Sequence, residues 1–264
     1  MKLPGLSEQE TWALIPPDTF LLGYRGSIAH GMYVPNTDPN SIDDKDVMGV
    51  CYAPIDCYIG LGHFEQAEKF VGEWDCVTYE LRKFIRLLAK CNPNVLSLLW
   101  LEENHYIHRT EAAKVLIANR KLFSTKEAYY AFTGYAHGQL KKMTHLAYQG
   151  YMGEKRKRLV DKYGYDTKNA AHLIRLLRMG IEFLRDGELN VMRHDAAQLL
   201  EIKHGKWTLE KVQAEADILF KRAETAFDEC KLPRRPDLDL VNGLCLEIMS
   251  DFVGTWPNGK AARC

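Results

Sequence analysis

LLGYRGSIAHGMYVPNTDPNSIDDKDVMGV, residues 21–50, opens with a short apolar run and turns on Gly26-Ser27 and Gly31. It then crosses a polar loop rich in Asn, Asp and Pro and enters a second apolar run through Asp43, Asp44 and Asp46. The pattern predicts strand, glycine turn, loop and strand, with turn glycines facing carboxylates across one hairpin-like excursion. A strand over Val47–Tyr52 places alternate side chains on one face, so Asp44 and Asp46 are expected to point the same way.

Paired hard oxygen donors on a rigid element suit Mg2+ (or Mn2+), which takes one or two carboxylates and completes its shell with water and phosphate oxygens. Gly26 lets the backbone approach a ligand and can offer N–H groups to phosphate, and the Ser27 hydroxyl adds a donor. Each feature alone is commonplace: most Gly-Ser turns are only turns, and most Asp-x-Asp pairs at a strand entrance are solvated. Their order is more specific. "GSIAHG" followed by "DDKDVMGV" resembles the signature of the DNA polymerase β-like nucleotidyltransferase superfamily.

At 264 residues and 46% hydrophobic composition, the chain can bury a core of one large domain or two modest ones. The formal net charge is zero, so no whole-molecule field draws it to nucleic acid or an anionic membrane, and any polyanion site must be local. The start, MKLPGLSEQETWALIPP, lacks the apolar core of a signal peptide, and no stretch reaches the roughly 18 apolar residues of a membrane span. The expectation is a soluble, cytoplasmic protein, in the host cytoplasm if phage-encoded. Seven cysteines with no CxxC pair argue for reduced, buried thiols and against a disulfide or zinc framework.

Between Tyr52 and Asp75 the sequence reads as loop and strand, with Tyr58–Leu61 a short glycine-bounded piece and Phe70-Val71 leading into Asp75–Thr78. Asp75 is expected on, or just leaving, a strand beside that of Asp46. A third carboxylate there could complete a metal site and accept a proton from an attacking hydroxyl. The superfamily resemblance implies that role; Glu73 is the competing candidate and Glu80 a weaker one. Leu81, Phe84, Ile85 and Leu88 recur at helical spacing, Asn92-Pro93 stops that helix, and a second follows from Val95 to about Glu102. "YELRKFIRLL" and "NPNVLSLLW" are similar to blocks of a narrower group, predicted nucleotidyltransferases associated with bacterial RNA-repair operons and phage genomes.

From Thr110 onward only helical patterns appear: 111–119, 126–149, 166–185, 196–203, 209–230 and 238–253. Along 166–185, Ala170, Leu173, Ile174, Leu177, Ile181 and Leu184 form one stripe, with Lys168, His172, Arg175 and Met179 opposite. A charged helix face is ordinarily solvated. "YDTKNAAHLIRLLRMG" resembles a recurring block of the same group, which implies that Lys168, His172 and Arg175 face nucleotide phosphates. Lys155-Arg156-Lys157-Arg158 is the densest basic run; it either contacts a nucleic-acid backbone or is a solvated loop. Tyr148, Tyr151, Tyr163 and Tyr165 around it suit base stacking or small-core packing. Gln139, Lys141 and Lys142 line a polar helix face nearby, suggesting a cleft between two halves. His30, inside the turn, could touch phosphate or be a tolerated loop residue.

These readings converge on an α+β protein: a small mixed-sheet nucleotidyltransferase-like catalytic domain, residues 1–115, and an all-helical domain, residues 116–264, closing the cleft. The resemblance implies Mg2+ (or Mn2+) on Asp44, Asp46 and Asp75, Gly26 and Ser27 holding the departing phosphates, an NTP donor, and an RNA or tRNA-like end as acceptor. Three aspartates within four positions leave the register open between Asp44/Asp46 and a slipped use of Asp43. The alternative class is a catalytically silent nucleotide- or RNA-binding partner in repair. The oligomeric state is not legible.

Overall fold

The computed structural model describes residues 3–38, 41, 43–144 and 154–254. Its centre is a mixed sheet ordered β3-β4-β2-β1-β5, from β1 (Thr19–Tyr24), β2 (Lys45–Cys51), β3 (Gln66–Val71), β4 (Trp74–Glu80) and β5 (Tyr106–Arg109). β2 runs antiparallel to β1 and parallel to β4. In the β2/β4 register Asp46 lies opposite Asp75, Met48 opposite Val77 and Val50 opposite Tyr79. Period-two alternation assigns this set to one face, where Met48, Val50 and Val77 join the main core. Val47, Trp74 and Cys76 belong to the other face, which Leu3, Leu6 and residues Leu14 and Ile15 at the end of α1 (Glu8–Leu14) cover. The two aspartates therefore stand at one end of the sheet face that looks into the helical half.

The helices follow in chain order: α2 (Gly26–Ala29), α3 (Asp56–Ile59), α4 (Leu81–Ala89), α5 (Pro93–Leu96), α6 (Glu111–Ala118), α7 (Glu127–Thr144), α8 (Glu154–Tyr163), α9 (Thr167–Asp186), α10 (Ala196–Lys203), α11 (Leu209–Glu229) and α12 (Leu238–Gly254). α9 is the hub, packing on α7, α10 and α11. It starts where the Asp166 carboxylate accepts from Asn169 N at 3.0 Å and stops at Gly187, which takes the left-handed conformation a helix end uses (φ 67°). At Gly180 a Cβ would fall 2.8 Å from Phe132 of α7, so the glycine permits the close crossing of the two helices.

Several local expectations are corrected. Tyr58-Ile59 ends the short helix α3 instead of forming a strand piece, and a strand, β5, lies just before Thr110, where the sequence carries no strand pattern. The second helix after Asn92 shortens to α5 followed by a 3-10 turn, Ser97–Trp100. The run Lys155–Arg158 lies on a helix, α8, and not in a loop. β2 begins at Lys45, leaving Asp44 just outside it. Cys51, Cys57, Cys76, Cys91, Cys230 and Cys245 are free thiols. Among the described residues no helix is long and apolar enough to cross a membrane.

Candidate active site

β1 ends at Tyr24, and the chain turns through Arg25, whose N–H donates to the Asp46 carbonyl at 3.0 Å, so the turn is tied to β2. Gly26 follows with φ 61°, and a Cβ there would sit 2.2 Å from Asp46 Oδ2. Both the sign of φ and the approach of a carboxylate demand glycine. The short helix α2 closes at Gly31, φ 69°, against the Met192 sulfur.

Asp46 and Asp75 are lateral neighbours on β2 and β4, and the Arg25 guanidinium lies between them, 3.6 Å from Asp46 Oδ1 and 3.2 Å from Asp75 Oδ2. Burial pushes the Asp46 carboxyl up to about 6 against the pull of Arg25, and the neighbouring Asp75 and Asp44 add to the rise. Asp75 is raised too, chiefly by burial. The rise at both carboxyls is thus mainly an effect of burial, with Arg25 opposing it. Asp44 is exposed, and its charge reaches both carboxylates.

The neighbouring acids are otherwise engaged. Asp43 is buried; its Oδ2 accepts from Val34 N at 2.9 Å and pairs with Lys203 of α10, while Lys168 Nζ lies 3.9 Å from Oδ1. Glu73 sits in the β3–β4 turn, bridged to Lys45 at 2.7 Å. Glu80 caps α4 by accepting from Lys83 N. Among the described residues no three His, Cys, Asp or Glu side chains form a metal cage. Two adjacent carboxylates already straddling a cation nevertheless fit Mg2+, which needs no full protein cage.

Across from this end stands the stripe of α9. Arg175 and Met179 are buried, so this part of the face is not solvated, and His30 from the α2 turn covers it at Arg175. His30 Nδ1 lies 2.9 Å from the Val191 carbonyl, which can only accept. Its proton is therefore on Nδ1, and Nε2 accepts from Arg175 Nη1 at 2.7 Å. The same Nη1 lies 3.2 Å from the Met179 sulfur. Among the described residues no carboxylate forms an ion pair with Arg175, and burial pushes its pKa down to about 9. Burial, then the Arg175 charge, holds His30 and His172 well below the usual imidazole range.

A model of the RNA repair pathway DNA polymerase beta family (RlaP) matches residues 18–247. The chain belongs to that family. A crystal structure at 1.90 Å of a nucleotidyltransferase-like protein from Exiguobacterium sibiricum 255-15 is similar at 12% identity and a TM-score of 0.30, covering 92% of this chain and 77% of that one. None of the curated proteins matches.

In this RNA-repair polymerase-beta-family chain, a cavity of about 400 Å³ brings together Gly26, Asp46, His172 and Arg175, four of the residues singled out by sequence. Arg25, His30 and, from α7, Tyr135, Gln139 and Lys142 share its wall. Ser27, Asp44, Asp75 and Lys168 are not on that wall; Asp75 joins the site through Arg25, and the Lys168 charge reaches Asp46. Lys157 and Arg158 are exposed on α8 and do not line it, and the side chains of Lys155 and Arg156 lie outside the described residues. Tyr165 is buried, its hydroxyl donating to the Trp207 carbonyl at 2.7 Å, and Tyr163 packs on Gly205; Tyr148 and Tyr151 lie outside the described residues. Lys141 faces a different groove. Arg25 escaped notice in the sequence because a lone arginine before a glycine turn has no periodic or spacing signal.

Proposed function

We propose that the chain is a metal-dependent nucleotidyltransferase (EC 2.7.7-like) that moves an NMP from an NTP to a hydroxyl on an RNA end, tRNA-like or a repair terminus, and releases pyrophosphate. The observation that carries this reading is the buried Arg175 guanidinium, which among the described residues has no carboxylate ion pair, on the same cavity wall as Asp46 and Gly26. A buried unpaired cation beside a carboxylate pair suits a ligand with phosphate at one end and a metal ion at the other.

In this reading Asp46 and Asp75, with Asp44 beside them, hold Mg2+ (or Mn2+), which when bound neutralises phosphate charge and aligns the α-phosphate. Arg175 and Lys168 offset the triphosphate charge, and the turn at Gly26 offers backbone N–H groups to the departing phosphates. Ser27 adds a hydroxyl donor, and neutral His172 contributes a hydrogen bond without further positive charge. Asp75, beside the attacking hydroxyl, accepts its proton. That oxygen bonds the α-phosphorus as the bond to pyrophosphate breaks. Residues 1–115 supply the carboxylates and residues 116–264 the phosphate wall. The basic run Lys155–Arg158 on α8 is the RNA contact.

The test is transfer of α-phosphate label from each ribonucleotide, with Mg2+ or Mn2+, into RNA, protein and small-molecule fractions. Label should enter RNA and fall to background with Asp46→Asn, because metal binding needs the charge. Label that persists in Asp46→Asn rejects the assignment.

A further inference from the structure

The cavity has a second end that the phosphate chemistry leaves unused. Tyr135, Gly138, Gln139 and Lys142 recur at i, i+3, i+4 and i+7 along α7 and line it together, with Asn94 of α5 opposite. The other stripe of α7, Phe132, Ala136 and Met143, is buried in the main core. The cavity stripe is therefore a free face made of one aromatic ring, one bare backbone position, one amide and one ammonium.

Gly138 is the most telling member. A glycine inside a helix is unfavourable, and here packing does not require it: a Cβ at Gly138 would meet nothing within 4 Å. The space it leaves opens onto the cavity. Tyr135 is partly exposed, and its hydroxyl accepts from Asn92 Nδ2 at 2.8 Å, which fixes the ring against α5. Among the described residues the Gln139 and Asn94 side-chain amides make no hydrogen bond, although both line the cavity. A ring held in place, open space beside it and two unengaged amides are what a flat heteroaromatic ligand needs.

We infer that this stripe is the nucleobase subsite of the donor, with the base stacked on Tyr135 over Gly138, and that its amides select adenine. This deepens the nucleotidyltransferase reading and rests on it. An amide offers one donor and one acceptor side by side, which matches an adenine edge bidentately. Guanine presents two adjacent donors and calls for a carboxylate, but the one carboxylate among the lining residues is Asp46, at the phosphate end. Uracil also matches an amide, yet a purine covers more of the tyrosine ring. Lys142 closes the same stripe, where it meets the ribose–phosphate side.

The test is equilibrium binding, with Mg2+ and without acceptor, of inorganic triphosphate, ATP, GTP, CTP and UTP. Wild type should bind ATP about tenfold or more tighter than triphosphate and tighter than the other nucleotides. Tyr135→Ala should bring ATP close to triphosphate and leave triphosphate unchanged; Tyr135→Phe should keep most of the gain; Gln139→Leu should level the four nucleotides. Melting curves confirm that these surface variants fold. ATP binding no tighter than triphosphate, an unchanged ATP affinity in Tyr135→Ala, or a preference for another base each overturns the subsite. If triphosphate binds through Arg175 while ATP gains nothing, only the subsite falls. If neither binds, the nucleotidyltransferase reading falls with it.

Discussion

Three residues apart on α9, Arg175 and Arg178 meet opposite environments. Arg178 donates to Asp195 at 2.8 Å, Gln198 at 2.6 Å and Glu215 at 2.8 Å, inside a network continued by Arg193, which pairs with Glu182 and Asp195. Arg175 has a histidine nitrogen and a thioether. Both arginines border cavities of similar size, about 470 Å³ and 400 Å³, so volume does not distinguish structure from site. Partnering does: the guanidinium groups of Arg178 and Arg193 in the first cluster are held by carboxylates, whereas among the described residues Arg175 in the second has no carboxylate ion pair.

The strongest way to break this contrast is Arg175→Met. Removing a buried, uncompensated cation should leave the melting temperature equal or higher, and it should weaken triphosphate and nucleotide binding by about a hundredfold, the range for a desolvated charge contact. Calorimetric titration and a melting curve on the same sample check both halves. A variant that unfolds, or one that binds normally, would return Arg175 to a packing role.

Arg193→Met should do the reverse. Its side chain is fully buried with Glu182 at 2.6 Å and Asp195 at 2.8 Å, and removing it takes the ion-pair partner from Glu182 and leaves Asp195 with Arg178 alone. The expected loss is about 3–5 kcal/mol of stability, measured by urea unfolding, with triphosphate affinity of the folded protein unchanged. Comparable damage to binding would mean that the two clusters act as one.

What the sequence could and could not say follows the same division. Patterns carried by neighbouring residues were legible: the strand–glycine–strand stretch, the two stripes of α9, and carboxylates at strand entrances. Period-two alternation and the superfamily resemblance led to Asp46 and Asp75, and the register places them opposite each other on β2 and β4. Period-two spacing pairs Asp44 with Asp46 but does not exclude a slipped register, and only the tertiary partners Lys203 and Val34 N–H show that Asp43 is engaged elsewhere. The α9 stripe showed two faces but not that His30 covers the basic one at Arg175. β5 escaped because its four residues are all half-buried and carry no alternation. Arg25 and the His30–Arg175 contact escaped because a pairing across 145 positions leaves no local trace.

The His30 contact sharpens the contrast through pH. His30 faces Arg175 from α9, with Arg193 and His105 also contributing positive charge when ionised, and the Val191 carbonyl is the one group favouring protonation. Burial first, then Arg175, lowers its folded pKa well below 6.5. The unfolded chain therefore binds the proton more readily, and stability present above pH ~6.5 is lost as pH falls towards the folded value. One such group steepens the decline by up to about 1.4 kcal/mol per pH unit. His30→Asn should flatten the unfolding free energy between pH 6.5 and 5.5 by about 1 kcal/mol, since the unfolded imidazole is only half protonated at the upper end, with His172 left to account for any remaining slope. Parallel slopes would mean that His30 is not held neutral by Arg175.

The smallest effect tests whether the bare position on α7 exists for a ligand. Gly134 and Gly138 both lie inside the helix with nothing within 4 Å of a Cβ, but only Gly138 lines the cavity. Alanine at either site should stabilise the fold by about 0.5–1 kcal/mol, since each adds helix propensity without a clash. The two substitutions should then part: Gly134→Ala leaves ATP affinity alone, while Gly138→Ala places a methyl group in the space beside Tyr135 and weakens ATP but not triphosphate. Equal behaviour of the pair would show that the glycines answer to something other than the cavity. A split would tie a stability cost in one helix to the ligand chemistry of the cleft it borders.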